Sequence, residues 1–375
     1  MPNYRLKIRT LSPLFIGSGT ELRQGFDFTS SEKQTGRFNV EKILEEKFDP
    51  KDPMQRPDQM LSQADYSNPA FFRYVLPGSV RTQKADGRLQ ECIKDVYDCP
   101  YIPGSSMKGA IRTALSVQML KKNPLNLQNM IDCKKSPKQA DDSIETSLFV
   151  SSRNTERGKN PNYDLMKALQ ISDALLPVEQ RKAGACLSVR NLTPITKKWQ
   201  DAATVPVEAE CIDEKVEFFA DVKVDNYLLR ELFPEKTAWE NEIIQSLQVY
   251  SQNRLETLLA WFTKAEGCEA ICSLLKKMLG KCELMKGTKI ALLQIGAGSG
   301  WDGNTYGTLL QSDAVWFENM IKALNVLKKP KNNPAAVSNR PPGSPFPTSR
   351  KIILKDKKPL SQLGWCLLDF EEGSG

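Results

Sequence analysis

Apolar and polar positions alternate at the start of the chain: Tyr4, Leu6, Ile8 and Thr10 are separated by Arg5, Lys7 and Arg9. A period of two gives one apolar and one basic face. Residues 4–10 therefore read as a first strand with its cations toward solvent or a polyanion such as RNA. Residues 40–48 read as a short helix broken by the prolines of 49–57. Met107, Ala110, Ile111, Ala114 and Leu115 recur three and four apart, which predicts a helix that runs to about Lys122 and stops before Pro124. Segments 187–195, 205–211 and 215–224 read as strands, the last two joined by Ile212-Asp213-Glu214. Apolar residues at 243, 247, 255, 258 and 259 give a helix over 239–262. A further helix is expected over 268–279 with Gly280 as its C-cap, then a strand over 288–293, a helix over 312–327 and a closing strand over 363–370. No period holds over 58–97, and 123–163 is polar and loop-rich. Residues 328–347 hold six prolines, the composition of a mobile linker or extended arm. The pattern alone gives an α+β fold.

Three loops stand out against this pattern. The first, IPGSSMKGAIRTAL over 102–115, opens the helix above. Ser105 or Ser106 can cap it, and Lys108 and Arg112, four apart, point the same way. Free N–H groups, hydroxyls and cations together suit a phosphate; a capped amphipathic helix with a solvated basic side is the other reading. The second loop, QIGAGSGWDGNTYG over 294–307, carries five glycines. Lacking Cβ atoms, they let backbone N–H groups approach a ligand, and Trp301 and Tyr306 offer flat faces to a base. No Gly-Lys-Ser/Thr follows, so this is not a Walker loop; a flexible hairpin loop would look similar. The third is the turn Ile16-Gly17-Ser18-Gly19, directly after the first strand.

Composition narrows the chemistry. The 375 residues suggest two or more compact units, the 40% hydrophobic content is enough for their cores, and a formal charge of +7 with a pI of about 8.8 favours a polyanionic partner. There is no histidine, which excludes Ser-His-Asp and Cys-His catalysis, histidine metal sites and histidine-based RNA cleavage. Nine irregularly spaced cysteines argue against a disulfide scaffold. Cys268, Cys272 and Cys282 lack a clear fourth metal ligand and read as small buried side chains on helices. No metal or cofactor is expected. No apolar run reaches the ~18 residues of a membrane span, and residues 1–10 have no signal-peptide core, so a cytoplasmic location is expected.

The segments LSPLFIGSG (11–19), IPGSSMKGAIRTAL (102–115) and IGAGSGW (295–301), in this order, resemble the RAMP superfamily of CRISPR proteins. Within it they are most similar to the family of the fifth subunit of type III-A Csm effector complexes. LQISDALL (169–176), VPVEAECIDEKVEFFADVKVD (205–225) and SRKIILKDKKPLSQLGWCLLDF (349–370) extend the resemblance over nearly the whole chain.

The resemblance implies two ferredoxin-like (RRM-like) domains with glycine-rich loops and helical insertions, divided as 1–200 and 201–375. It implies a crRNA-binding structural subunit that caps the backbone filament near the crRNA 3′ end. Its partners would be the neighbouring backbone RAMP subunit, other Csm subunits, target RNA and recruited host nucleases that mature the crRNA. Ser105, Ser106, Lys108 and Arg112 would hold phosphates. Gly17, Ser18 and Gly19 would shape a turn beside the RNA. Gly296, Gly298, Ser299 and Gly300 would approach its backbone and Trp301 would stack a base, with Arg81 and Arg190 as further cations. No intrinsic nuclease activity is expected. The alternative is a RAMP endoribonuclease, for crRNA processing or target cleavage, with Asp27 as the carboxylate that could place a metal.

Overall fold

The computed structural model describes residues 3–80, 87–154, 160–198, 207–236, 238–326 and 341–372. Fourteen strands run through these residues: β1 (Asn3–Thr10), β2 (Gly17–Arg23), β3 (Phe28–Ser30), β4 (Gln34–Phe38), β5 (Phe72–Pro77), β6 (Arg88–Cys92), β7 (Leu169–Ile171), β8 (Leu187–Ile195), β9 (Val207–Ile212), β10 (Glu217–Val224), β11 (Ile290–Gln294), β12 (Arg350–Lys355), β13 (Lys358–Ser361) and β14 (Trp365–Glu372). Mixed sheets and helices make the fold α+β.

The first sheet has the order β11-β14-β1-β10-β7 and is antiparallel throughout. Leu6, Ile8, Phe218, Ala220, Val222, Leu368 and Phe370 line its inner face. The helices Gly104–Lys122 and Trp239–Phe262 close over them with Met107, Ile111, Ala114, Leu115, Ile243 and Leu247. Following the chain, β1, the first helix, β7, β10, the second helix and β14 make one β-α-β-β-α-β run. It spans the whole chain instead of occurring once per half.

The second sheet has the order β13-β12-β8-β9-β6-β2 and does not repeat that run. The helix Glu269–Met285 and the end of helix Trp239–Phe262 seal its junction with the first sheet around Leu258, Leu275, Leu292, Ile352 and Trp365. A third sheet, β3-β4-β5, stands to one side. The expected division at residue 200 is therefore not how the sheets are assembled. Both large sheets draw strands from each side of it, because β1 finds its partners in β10 and β14.

Two local expectations change. Helix Glu269–Met285 runs through Gly280 and ends at Lys286, before Gly287 with φ +73°. The left-handed turn falls on the second glycine, so Gly280 is not the cap. The outer face of β1 is not a bare basic surface either. Arg5 stands between Asp221 and Glu371, Lys7 between Phe219 and Asp369, and Arg9 opposite Glu217. Lys7 pairs with Glu217 at 3.0 Å and Arg5 lies over the Phe219 ring at 4.4 Å, so cross-strand acids balance the face.

Candidate nucleic-acid interface

The N-terminal turn and the late glycine loop are brought together. Ala297 N–H donates to the Phe15 carbonyl at 3.0 Å, and Gly364 N–H donates to the Pro13 carbonyl at 2.9 Å. A Cβ on Gly296 (φ +74°) would strike the Phe15 carbonyl oxygen, and one on Gly298 would strike that of Leu363. Both glycines serve chain-to-chain packing, which corrects their expected role of approaching a ligand. Ser299 is buried; its hydroxyl bonds the Gly296 carbonyl at 2.7 Å and the Asn304 side chain at 2.8 Å, so it too is internal. Gly300 (φ +66°) is exposed.

Trp301 is not an open platform. Its ring packs edge-on against Phe346 at 4.7 Å and tilted against Phe317 at 5.9 Å, with Gly307 directly beneath. Tyr306 is also turned inward, its hydroxyl donating to Asp141 at 2.8 Å. Burial, then the Asp141 charge, push its phenol pKa up, so it stays a donor.

An ionic cluster absent from the sequence reading fixes this loop from within. Asp302 pairs with Arg254 at 3.1 Å and Arg350 at 2.9 Å. Arg254 also donates to Gln294 at 3.2 Å and to the Ser299 carbonyl. Burial lowers the Arg350 pKa while Asp302 opposes the shift. The sequence held a signal: Arg254 interrupts the apolar face made by Leu247, Tyr250 and Leu258 on a buried helix.

Helix Gly104–Lys122 begins one residue before the serines, with Pro103 at the N-cap, so Ser105 and Ser106 lie in the first turn and cap nothing. Gly104 N–H donates to Asp173 at 2.8 Å, so a carboxylate of the protein already sits at the helix start. Ser105 is exposed; Ser106 and Lys108 are half-buried. Burial lowers the Lys108 pKa, opposed by Asp164. Arg112 is committed elsewhere. Its guanidinium bonds Glu145 at 2.5 Å and Asp164 at 3.1 Å and lies over the Phe149 ring at 3.9 Å. Two turns on from Ser105, Thr113 reaches the Asn304 carbonyl at 3.5 Å, which ties the helix to the late loop.

At the other loop, Gly17, Ser18 and Gly19 are exposed at the start of β2, and Ser18 donates to Glu91 at 2.9 Å. Arg190 is held by Asp213 and Ser188, each at 2.7 Å, which removes it as a free cation. Arg81 lies outside the described residues. Asp27 accepts from Arg23 N–H at 2.8 Å and pairs with Arg37 at 3.5 Å. Among the described residues, no group of three or more Cys, Asp or Glu side chains is placed to hold a metal, and no helix is long and apolar enough to cross a membrane.

The surface thus presents an exposed glycine turn and a serine- and lysine-bearing helix start, each joined to one internal glycine loop. Such groups can hold a sugar-phosphate chain without reading bases. The family model of the RAMP superfamily matches residues 7–301. A Streptococcus thermophilus protein named "CRISPR system Cms protein Csm5" is 31% identical over 193 residues, 46% of this chain. The match spans about half, 51%, of that relative's length. A chain of the Csm–crRNA–target RNA ternary complex of a type III-A CRISPR-Cas system superimposes with a TM-score of 0.65 at 21% identity, covering 98% of this chain and 100% of that one. The crystal structure of T. onnurineus Csm5 gives 0.59 at 20% identity, covering 96% and 99%.

Proposed function

Because this chain belongs to the RAMP superfamily, we propose that it is a crRNA-binding structural subunit of a type III-A Csm ribonucleoprotein. The observation that carries this reading is the 31% identity to a protein named Csm5. The end-to-end fold likeness to a chain of a Csm–crRNA–target RNA complex supports it. In this reading Ser105, Ser106 and Lys108 hold phosphates, and Gly17–Gly19 and Gly300 line the path. Arg112, Arg190, Ser299 and Trp301 keep those elements in place. The subunit caps the filament near the crRNA 3′ end, against the neighbouring backbone RAMP subunit and the small Csm subunit. Target RNA lies alongside, and recruited host nucleases trim the crRNA.

Cleavage is assigned to other components. The chain has no histidine to act as acid or base, and the Asp27 carboxylate is engaged by Arg37 and the Arg23 backbone. A purified subunit that cuts RNA, and loses that activity with Asp27→Ala, would reverse this assignment. The function itself is tested by tagging the chain in its host and sequencing the RNA that co-purifies. Short RNAs with a repeat-derived 5′ tag and variable spacers, alongside other Cas subunits, are expected; bulk cellular RNA or none would reject the proposal.

A further inference from the structure

Arg23, the last residue of the edge strand β2, stands directly opposite Arg88 of β6. Their inward neighbours Leu22 and Leu89 are buried, so both guanidinium groups project outward, with side chains 54% and 51% exposed. Like charges in register across two strands repel, and the acids at hand relieve this only loosely. Glu21 is 3.7 Å from Arg88 and Asp27 is 4.0 Å from Arg23.

Just past Arg23 the chain turns at Gly25 (φ +82°) and exposes Phe26. The guanidinium carbon of Arg23 lies 4.6 Å from the Phe26 ring centre, and that of Arg56 lies 5.7 Å from it. Arg56 pairs with Asp58 at 3.1 Å, and Arg37 holds Asp27 from below. Among the described residues, four buried side-chain atoms around this one turn have no hydrogen-bond partner: Gln24 Oε1, Arg37 Nε, Arg56 Nε and Asp58 Oδ1. Unpaired buried polar atoms are costly; beside them, the exposed aromatic ring and the opposed arginine pair offer a surface whose repulsion a bound anion would relieve.

We propose that this corner is a second RNA contact, which takes one nucleotide of a single strand with its base against Phe26 and its phosphate between Arg23 and Arg88. A phosphate between the two guanidinium groups turns their repulsion into shared attraction. A base against the phenyl ring is held whatever its identity, which suits a guide of variable sequence. An acidic polypeptide would use the arginines but not the ring. The corner lies roughly 20 Å from Gly17, the length of the seven-residue strand, so the glycine turn and the arginine corner mark two ends of one edge. This inference rests on the RNA-binding reading above.

The test titrates the full chain into a fluorescein-labelled, mixed-sequence single-stranded RNA of about 20 nucleotides, by anisotropy, at about 50 and 200 mM salt. Arg23→Ala with Arg88→Ala should weaken binding and flatten the salt slope by about 0.7, the share of one phosphate. Phe26→Leu should weaken binding about tenfold and leave the slope unchanged. Lys276→Ala with Lys277→Ala, an equal charge loss on the exposed side of helix Glu269–Met285, should change neither. Thermal melts confirm that each variant is folded. Wild-type binding by both corner variants, with weakened binding by Lys108→Ala, would overturn this site and leave the functional reading intact. No RNA binding by the wild type would overturn both. Competition by polyglutamate charge for charge, with Phe26→Leu silent, would overturn the RNA assignment in favour of an acidic protein.

Discussion

Lys108 and Arg112 sit one turn apart on the same helix, and their surroundings divide their work. Arg112 is enclosed by Glu145, Asp164 and Phe149, whereas among the described residues no ion pair holds the Lys108 ammonium. Arg112→Ala should leave two carboxylates facing each other and cost about 1–3 kcal/mol of stability, read as a lower Tm. Its effect on RNA affinity should be secondary. Lys108→Ala should leave the Tm in place, weaken RNA binding across sequences, and reduce the salt slope by about 0.7. A flattened salt slope for Arg112→Ala with an unchanged Tm would reverse these roles. The thiols divide in the same way. Burial pushes Cys92, Cys268 and Cys366 up to about 12, so they stay protonated and inert. Brief alkylation of the folded chain near pH 8, read by mass spectrometry, should label Cys133, Cys186 and Cys272, which are partly exposed, ahead of the buried six.

At the scale of elements, the glycine loop behaves as a clamped joint. Asp302 ties helix Trp239–Phe262 to β12 through two arginines, within a buried site. Asp302→Ala should leave two uncompensated guanidinium groups and cost about 3–5 kcal/mol, measured by denaturant unfolding. Gly280 offers the opposite case. It lies in an exposed helix interior, where an added methyl group would meet nothing within 4 Å, so Gly280→Ala should stabilise by about 0.5–1 kcal/mol; a lower Tm would contradict this. These elements show what could be read from the chain. Helix 239–262 was legible because its own periodicity matches its burial, and strand 187–195 because a short run rich in apolar and β-branched residues is buried almost throughout. So was helix 104–122, although not its start at Pro103 ahead of both serines, nor the loss of its first N–H to Asp173, which lies far along the chain. The glycines of 296–298 were visible as a motif. Their role was not, because the Phe15 and Leu363 carbonyls that demand them come from the two ends of the sequence. Residues 58–97 gave no period, since β5 and β6 are short and belong to different sheets.

For the whole molecule, the interleaving of strands decides what can stand alone. β1 is flanked by β10 and β14, and helix Gly104–Lys122 packs on helix Trp239–Phe262. Fragments 1–200 and 201–375 expressed separately should therefore lack cooperative unfolding transitions by circular dichroism, and should recover one only when produced together. Independent, reversible melts of the two fragments would refute this. The centre of the first sheet also carries a consequence in time. Tyr4 is in register with Glu372, so β1 waits for a strand made more than three hundred residues later. Until then the apolar edge of β1 is unsheltered, and pairings of such sequence separation form slowly. The newborn chain completes its principal sheet only after residue 372 has been made, and until that moment it depends on whatever the cell provides to shield an unfinished edge.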